Sequence, residues 1–209
     1  MRSLLSLFTV VALLGAASSH AEGSLADAYA IIATKQRVDL THAFGPDTPV
    51  WRGFGQAAMG AAADPDSHRP YTIAEHGFRT TFYAMVGQYG THIDPPAHFD
   101  EKGRTMDDIP LNEMLLPLVV FDITPLLVKE PNHAFNVADI EAWEKRHGAV
   151  PKGAFAALRT DMSRDFDSAP ERFKRAPFPG WSQAAVQFLV EQRGVVAIGE
   201  FDRFPGKAF

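Results

Sequence analysis

The feature that most limits how this chain can fold is the pair Pro95-Pro96, set inside the run Gly90-Thr91-His92-Ile93-Asp94-Pro95-Pro96-Ala97-His98-Phe99. Neither proline can donate a backbone hydrogen bond, and each drives the residue before it toward extended backbone, so Asp94 is predicted extended and the run non-helical. A helical zinc site with two histidines one turn apart is thereby excluded. Upstream, residues 80–86 are β-branched and aromatic and read as a strand entering the run. If the extended backbone persists past Gly87, side chains alternate and Gln88, Gly90, His92 and Asp94 share one face. That face offers an amide oxygen, an imidazole and a carboxylate, with Gly90 leaving an opening between them, and Zn²⁺ or Mn²⁺ accepts such donors. Beyond the prolines, His98 is predicted to turn back over the same face. An imidazole beside a coordinated water is suited to general base and then general acid work, because its ordinary pKa lies near neutrality. In the competing reading one histidine packs, another is solvated and Asp94 caps a turn; the crowding of three such groups in one Pro-rich turn weighs against it.

With these residues in view, the run from Gly90 to Phe99 resembles the signature H-x-G-T-H-x-D-x-P-x-H of the metal-dependent cyclase family, which includes bacterial kynurenine formamidase and isatin hydrolase. Further segments are similar to that family's landmarks in the same order: Asp39-Leu40-Thr41-His42, Thr48-Pro49-Val50-Trp51, Val119-Val120-Phe121-Asp122-Ile123, Leu158-Arg159-Thr160 and Pro179-Gly180-Trp181-Ser182. The resemblance covers residues 37–199. It implies a mixed α/β fold, with the β/β/α three-layer swivelling-domain architecture, and hydrolysis of a small amide, formamide or cyclic amide such as N-formylkynurenine or isatin. It further implies a Zn or Mn ion on His92 and Asp94, His98 as general acid and base, an indole from Trp51 over the substrate, and assembly as a homo-oligomer. Two departures stand out. Gln88 occupies the position of the family's first histidine, as a weaker neutral oxygen donor to the metal. The family also continues past the strand at 195–199 to supply a later His and Glu, which residues 200–209 do not resemble. The expectation is a C-terminus cut short or frameshifted, with weak metal retention and little turnover. A rival expectation is an exported, non-catalytic remnant or small-molecule-binding protein that keeps the fold.

The chain has 209 residues, 46% of them hydrophobic, and a net charge of -5, enough for one domain with a core and against a nucleic-acid-binding surface. It contains no cysteine, so disulfides, thiolate ligands and a cysteine nucleophile are excluded. Met1-Arg2, an apolar stretch over 4–14 and the small residues before Ala21 read as a signal peptide over 1–21, cleaved ahead of Glu22. The apolar stretch is shorter than the roughly 20 residues a membrane span needs, so the expected product is periplasmic or secreted, without a stable membrane anchor after cleavage. Residues 22–36 then form an N-terminal helical extension, 37–199 the hydrolase-like domain and 200–209 an atypical tail.

Local signals predict further elements. Ser24 starts a helix over 26–33. Residues 38–41 read as a short strand bringing His42 toward the site. Residues 59–67 read as a loop or short helix, 71–73 as strand-like, and Glu75-His76-Gly77 as a turn with a solvated histidine. A short helical piece is expected over 111–116 and a buried strand over 118–123. Asn136 and Asp139 cap a helix over 137–147 that Gly148 closes, with Ile140 and Trp143 on its apolar face. A strand over 155–158 leads to Arg159 and Asp161, read as a surface ion pair. Ser182 caps a helix over 183–193 ended by Gly194, and a last strand runs over 195–198.

Overall fold

A computed structural model describes residues 23–174 and 177–201, with Phe201 described by its backbone alone. The predicted signal peptide and positions 202–209 of the tail lie outside the described residues. The chain divides into two units, Met1–Arg37 and Val38–Phe209. In the first, α1 (Leu25–Ala33) begins where Ser24 and Asp27 close a reciprocal capping box, and none of its residues is buried.

The second unit is mixed α/β. Its first strands, β1 (Ala58–Ala61) and β2 (Thr81–Ala84), pair antiparallel with Met59 opposite Tyr83, and α2 (Ile73–His76) lies between them in sequence. The larger sheet holds β3 (Leu118–Asp122), β5 (Phe155–Arg159) and β7 (Ala197–Phe201), all parallel, with β5 in the centre. A two-stranded parallel ladder of β4 (Ala134–Phe135) and β6 (Gly180–Trp181) stands beside it in the topology. Parallel neighbours cannot be joined by tight hairpins, so the chain must cross over between them. The short α3 (Thr124–Leu127), α4 (Val137–His147) and α5 (Gln183–Arg193) lie in these crossovers.

Burial follows from that arrangement. Ala156, Ala157 and Leu158 in β5 are fully buried, as are Ile140 of α4 and Ala185 and Leu189 of α5. Phe121 is the hub of the aromatic packing, with ring centroids 5.2 Å from Phe135, 4.9 Å from Trp143 and 5.7 Å from Trp181. The two long helices are tied by Glu144, whose carboxylate accepts from Arg193 Nε at 2.7 Å and Nη2 at 2.9 Å and from the Val150 amide at 2.9 Å. The guanidinium holds the Glu144 carboxyl below its ordinary range.

The capping signals of α4 and α5 place both helices as predicted: Asn136 and Asp139 form a capping box, Ser182 accepts from Ala185, and Gly194 takes φ 66°. Several other local readings need correction. Residues 38–41 form no strand, and 59–67 opens with β1 instead of forming a loop or helix. Ile73 begins α2 where a strand-like stretch was expected, because Thr72 caps it and Gly77, at φ 76°, closes it. His76 is exposed, as expected, and its Nδ1 also accepts from the Thr72 amide at 3.1 Å while its ring meets Tyr71 edge-on at 5.3 Å. The helical piece near 111–116 is a 3-10 turn over Leu111–Glu113. Arg159 and Asp161 do pair, at 2.8 Å, but their side chains are 17% and 15% exposed, so this is a largely enclosed bridge and not a surface one.

Two predictions follow from this packing. Leu189→Ala opens a void under α5 and should cost about 2–5 kcal/mol, measured by denaturant unfolding. His133, 14% exposed, donates to Glu130 Oε2 from Nδ1 at 2.9 Å and to Asp139 Oδ2 from Nε2 at 2.8 Å, which requires the doubly protonated ring. Glu130 first, then Asp139, raise its pKa above the ordinary value. A raised folded-state pKa stabilises fully below the unfolded value near about 6.5 and is lost as pH climbs through the folded one. His133→Gln should therefore lower the melting temperature at pH 6, with the difference from the parent shrinking at alkaline pH.

Candidate functional site

The backbone from 87 to 98 reaches the site by a different route from simple alternation. Strand β2 ends at Ala84, and Gly90 adopts φ 72°, a left-handed conformation that turns the chain. A side chain at 90 would make only ordinary contact with Phe44, so Gly90 is needed for its backbone freedom and not to open a gap. Pro95 is extended, at φ -71° and ψ 160°, and Pro96–His98 forms one 3-10 turn. The predicted extended run past Gly87 is broken by turns and bends over 87–91, and the turn at the double proline brings His98 back toward Asp94.

The four predicted site residues of this run do meet. His92 Nε2 lies 3.6 Å from Asp94 Oδ2, and His98 Nε2 lies 4.0 Å from Asp94 Oδ1. The Gln88 amide nitrogen donates to Asp94 Oδ1 at 3.2 Å and reaches His98 Nδ1 at 3.4 Å. The three ionisable side chains are each about a third exposed, at 31% for His92, 34% for Asp94 and 29% for His98. His92 Nδ1 is 2.8 Å from the Gly90 carbonyl. A carbonyl only accepts, so Nδ1 carries a proton, and in the neutral ring the Nε2 lone pair faces the Asp94 carboxylate. Two electron-rich groups turned toward each other form a natural seat for a cation, and a second hydrogen bond that fixes the tautomer is usual for a metal-binding histidine. Gln88 presents its amide nitrogen here; as a ligand it would turn that amide by half a rotation to offer oxygen. Among the described residues, no group of three or more His, Asp or Glu side chains is arranged to hold an ion. The side chains that meet here are Gln88, His92, Asp94 and His98.

These groups line a cleft of about 420 Å³ whose other walls include His42, Trp51, Phe54, Ser163, Phe166 and Glu200. The wall carrying Trp51 is anchored to the motif itself. Tyr89, 4% exposed, donates its hydroxyl to the Gly45 carbonyl at 2.8 Å, and Gly45 N–H donates to buried Thr48 at 2.8 Å. Trp51 is 49% exposed, meets Phe54 edge-on at 5.2 Å, and lies so closely over Gly53 that a Cβ there would be 1.7 Å from its ring. The indole is thus at the cleft rim, in reach of a ligand. The opposite wall follows β5: Arg159 bridges Asp122 at 3.1 Å and Asp161 at 2.8 Å, Asp161 takes φ 57°, and the next turn carries Ser163 and Phe166. Phe166 stacks on His42 with centroids 4.1 Å apart.

Ser163, Phe166 and Glu200 were not singled out from sequence. The signal available for Glu200 was its place at the carboxyl end of a parallel strand, where ligands of open α/β sheets commonly bind. Strand β7 runs on to Phe201 and carries Glu200 to the cleft. Ser163 had no local signal, since a 3-10 turn after a strand looks like any loop.

Comparison with known proteins agrees with this architecture. Residues 38–200 match the Cyclase family, described as "Putative cyclase". The isatin hydrolase of Roseibium aggregatum is 25% identical over 171 residues, covering 75% of this chain and 63% of that protein. The kynurenine formamidase of Paracidovorax citrulli is 28% identical over 127 residues, covering 56% of this chain and 48% of that protein. The chain thus spans less than two thirds of the length of either relative. Isatin hydrolase A from Ralstonia solanacearum superposes with a TM-score of 0.69 at 28% identity, over 88% of this chain and 74% of that one. With the match extending over most of its length and the mixed α/β fold shared, the chain belongs to the Cyclase family.

Proposed function

We propose that this chain hydrolyses a small amide, formamide or cyclic amide, with a divalent cation, Zn²⁺ or Mn²⁺, on His92 and Asp94 and with His98 moving the proton. The observation that carries the reading is the convergence of His92, Asp94, His98 and Gln88 on one wall of an aromatic-rimmed cleft. A volume of about 420 Å³ is within the range of small-molecule sites, about 300–1,000 Å³. Isatin and N-formylkynurenine are the first compounds to try, since the relatives are an isatin hydrolase and a kynurenine formamidase.

The cation, when bound, supplies an acidified water and polarises the scissile carbonyl. The remaining work falls to the chain. An amide N–H₂ only donates, so in the Gln88 orientation seen here His98 Nδ1 is the acceptor. With the Gln88 amide reversed, oxygen toward the ring, Nδ1 holds the proton and Nε2 is free to take one as base; the imidazolium so formed is the form that can protonate a leaving nitrogen. The orientation of Gln88 and the tautomer of His98 are therefore linked. Asp94, between His92 and His98, keeps a negative charge where protonated imidazole forms. Trp51 and Phe54 offer apolar ring surface at the rim, suited to an aryl amide.

A second reading, a small-molecule-binding protein without turnover, is favoured by one observation: among the described residues no three His, Asp or Glu side chains gather around an ion position. Metal analysis together with hydrolysis of isatin and N-formylkynurenine separates the two. The basic start and apolar run of residues 1–21 support export to the periplasm or medium.

For the hydrolase, His98→Ala should leave metal content nearly unchanged while turnover falls by about 10²- to 10⁴-fold; loss of metal in step with activity would make His98 a ligand instead. His92→Ala should weaken metal binding by more than the about 10- to 100-fold typical of residues that merely support a ligand, read by competition with a chromogenic chelator.

A further inference from the structure

His98 rides on a single 3-10 turn, Pro96–His98, and one such turn has too few hydrogen bonds to hold the imidazole in place by itself. What braces it comes from outside. The Ala97 amide, in the middle of the turn, donates to the carbonyl of Arg104 at 3.0 Å, and Gly103 N–H donates to Asp100 at 2.8 Å. The approach is close enough that a Cβ on Gly103 would lie 2.6 Å from the Pro96 carbonyl carbon, 2.7 Å from the Ala97 nitrogen and 2.8 Å from the Pro96 oxygen. These are backbone atoms, which cannot rotate aside as a side chain would. The next residue is itself pinned, since Arg104 forks onto Glu113 through Nη1 at 3.0 Å and Nη2 at 2.9 Å. That pairing holds the Glu113 carboxyl below its ordinary range and raises Arg104.

We propose that Gly103 is a positioning residue for His98: its bare Cα lets the strap Gly103-Arg104, moored to Glu113, seat against the Pro96–Ala97 peptide and set the imidazole's distance from Asp94 and Gln88. Any side chain at 103 pushes that peptide, one residue before His98 and two after Asp94, by several tenths of an ångström. Proton transfer is steeply sensitive to such shifts, with about 1 Å of misplacement able to cost about 10²-fold. Substrate contacts on the Trp51 wall are left alone, so binding should change little.

The test uses the full chain with Zn²⁺ added. In Gly103→Ala, the ¹H–¹³C ring signals of His98 should move while those of His133 and His147 stay in place, and kcat should fall about 10- to 100-fold with KM within about two-fold. Arg104→Gln, which releases the strap without crowding it, should move the same His98 signals and decides the matter if Gly103→Ala fails to fold. The charge-exchanged pair Arg104→Glu/Glu113→Arg should return them toward the parent positions, which a merely destabilised loop would not do. The kinetic arm rests on the amide-hydrolase reading; the ring signals do not. A parent protein inactive on isatin and N-formylkynurenine would sink that reading and leave the spectra to judge this one. His98 signals unmoved in the folded variants, or a rise in KM with kcat preserved, would overturn the proposal.

Discussion

The burial of β5 between β3 and β7 is the constraint on which the far half of the cleft depends. Ala156, Ala157 and Leu158 are wholly removed from water, and both edges of the strand are hydrogen-bonded, so β5 has little freedom to shift. Burying a leucine side chain of this kind contributes about 1.5–3 kcal/mol. The strand ends at Arg159, whose guanidinium joins Asp122 at the end of β3 to Asp161 in the following loop. Asp161 pays for its φ of 57° with roughly 1–3 kcal/mol of backbone strain, and the Arg159 and Arg164 bridges oppose its relaxation. Through that bend the chain delivers Ser163 and Phe166, while β7, in register with β5, delivers Glu200.

The near half of the cleft is held by a different kind of force. No long strand or helix carries Gln88, His92, Asp94 and His98; their backbone is a sequence of tight turns. Order comes instead from the Tyr89 hydroxyl, the left-handed Gly90, the Gly90 carbonyl on His92 and the proline pair. Such a loop can place donors closer together than a regular strand allows, because same-face neighbours on a strand are about 6.6–6.8 Å apart. It also leaves each ionisable group about a third exposed, open to substrate and solvent.

Reading the chain from its residues succeeded where the physics is local. Caps and terminating glycines are decided within four or five residues, and α4 and α5 have the limits that Asn136, Gly148, Ser182 and Gly194 dictate. The apolar run of β5 was legible because a strand buried on both faces needs no alternation; β3, read as a buried strand, is buried only at alternate residues, with Leu118 and Asp122 exposed. Failures cluster where pairing is remote. Strand β1, with an Ala-Met-Gly-Ala sequence, has no intrinsic strand signal and exists because β2 pairs with it.

The candidate site divides in the same way. Sequence alone determined that His92, Asp94 and His98 would lie near one another, since two adjacent prolines forbid a helix and force a turn within six residues. It also limited any metal ligands to His, carboxylate and amide groups, because cysteine is absent. Only the tertiary structure decided that Gly90 turns the chain and so brings Gln88 to Asp94 and His98 amide-nitrogen first. Tertiary structure alone also set Tyr89 as the anchor of the Trp51 wall, a contact between residues 44 positions apart. His42, Ser163 and Glu200 come to the cleft from separate parts of the chain, and no local pattern encodes their meeting. Short-range sterics and capping act within a few bonds and can be read from a string of residues; the closure of a cleft depends on strand pairing and burial across the whole domain.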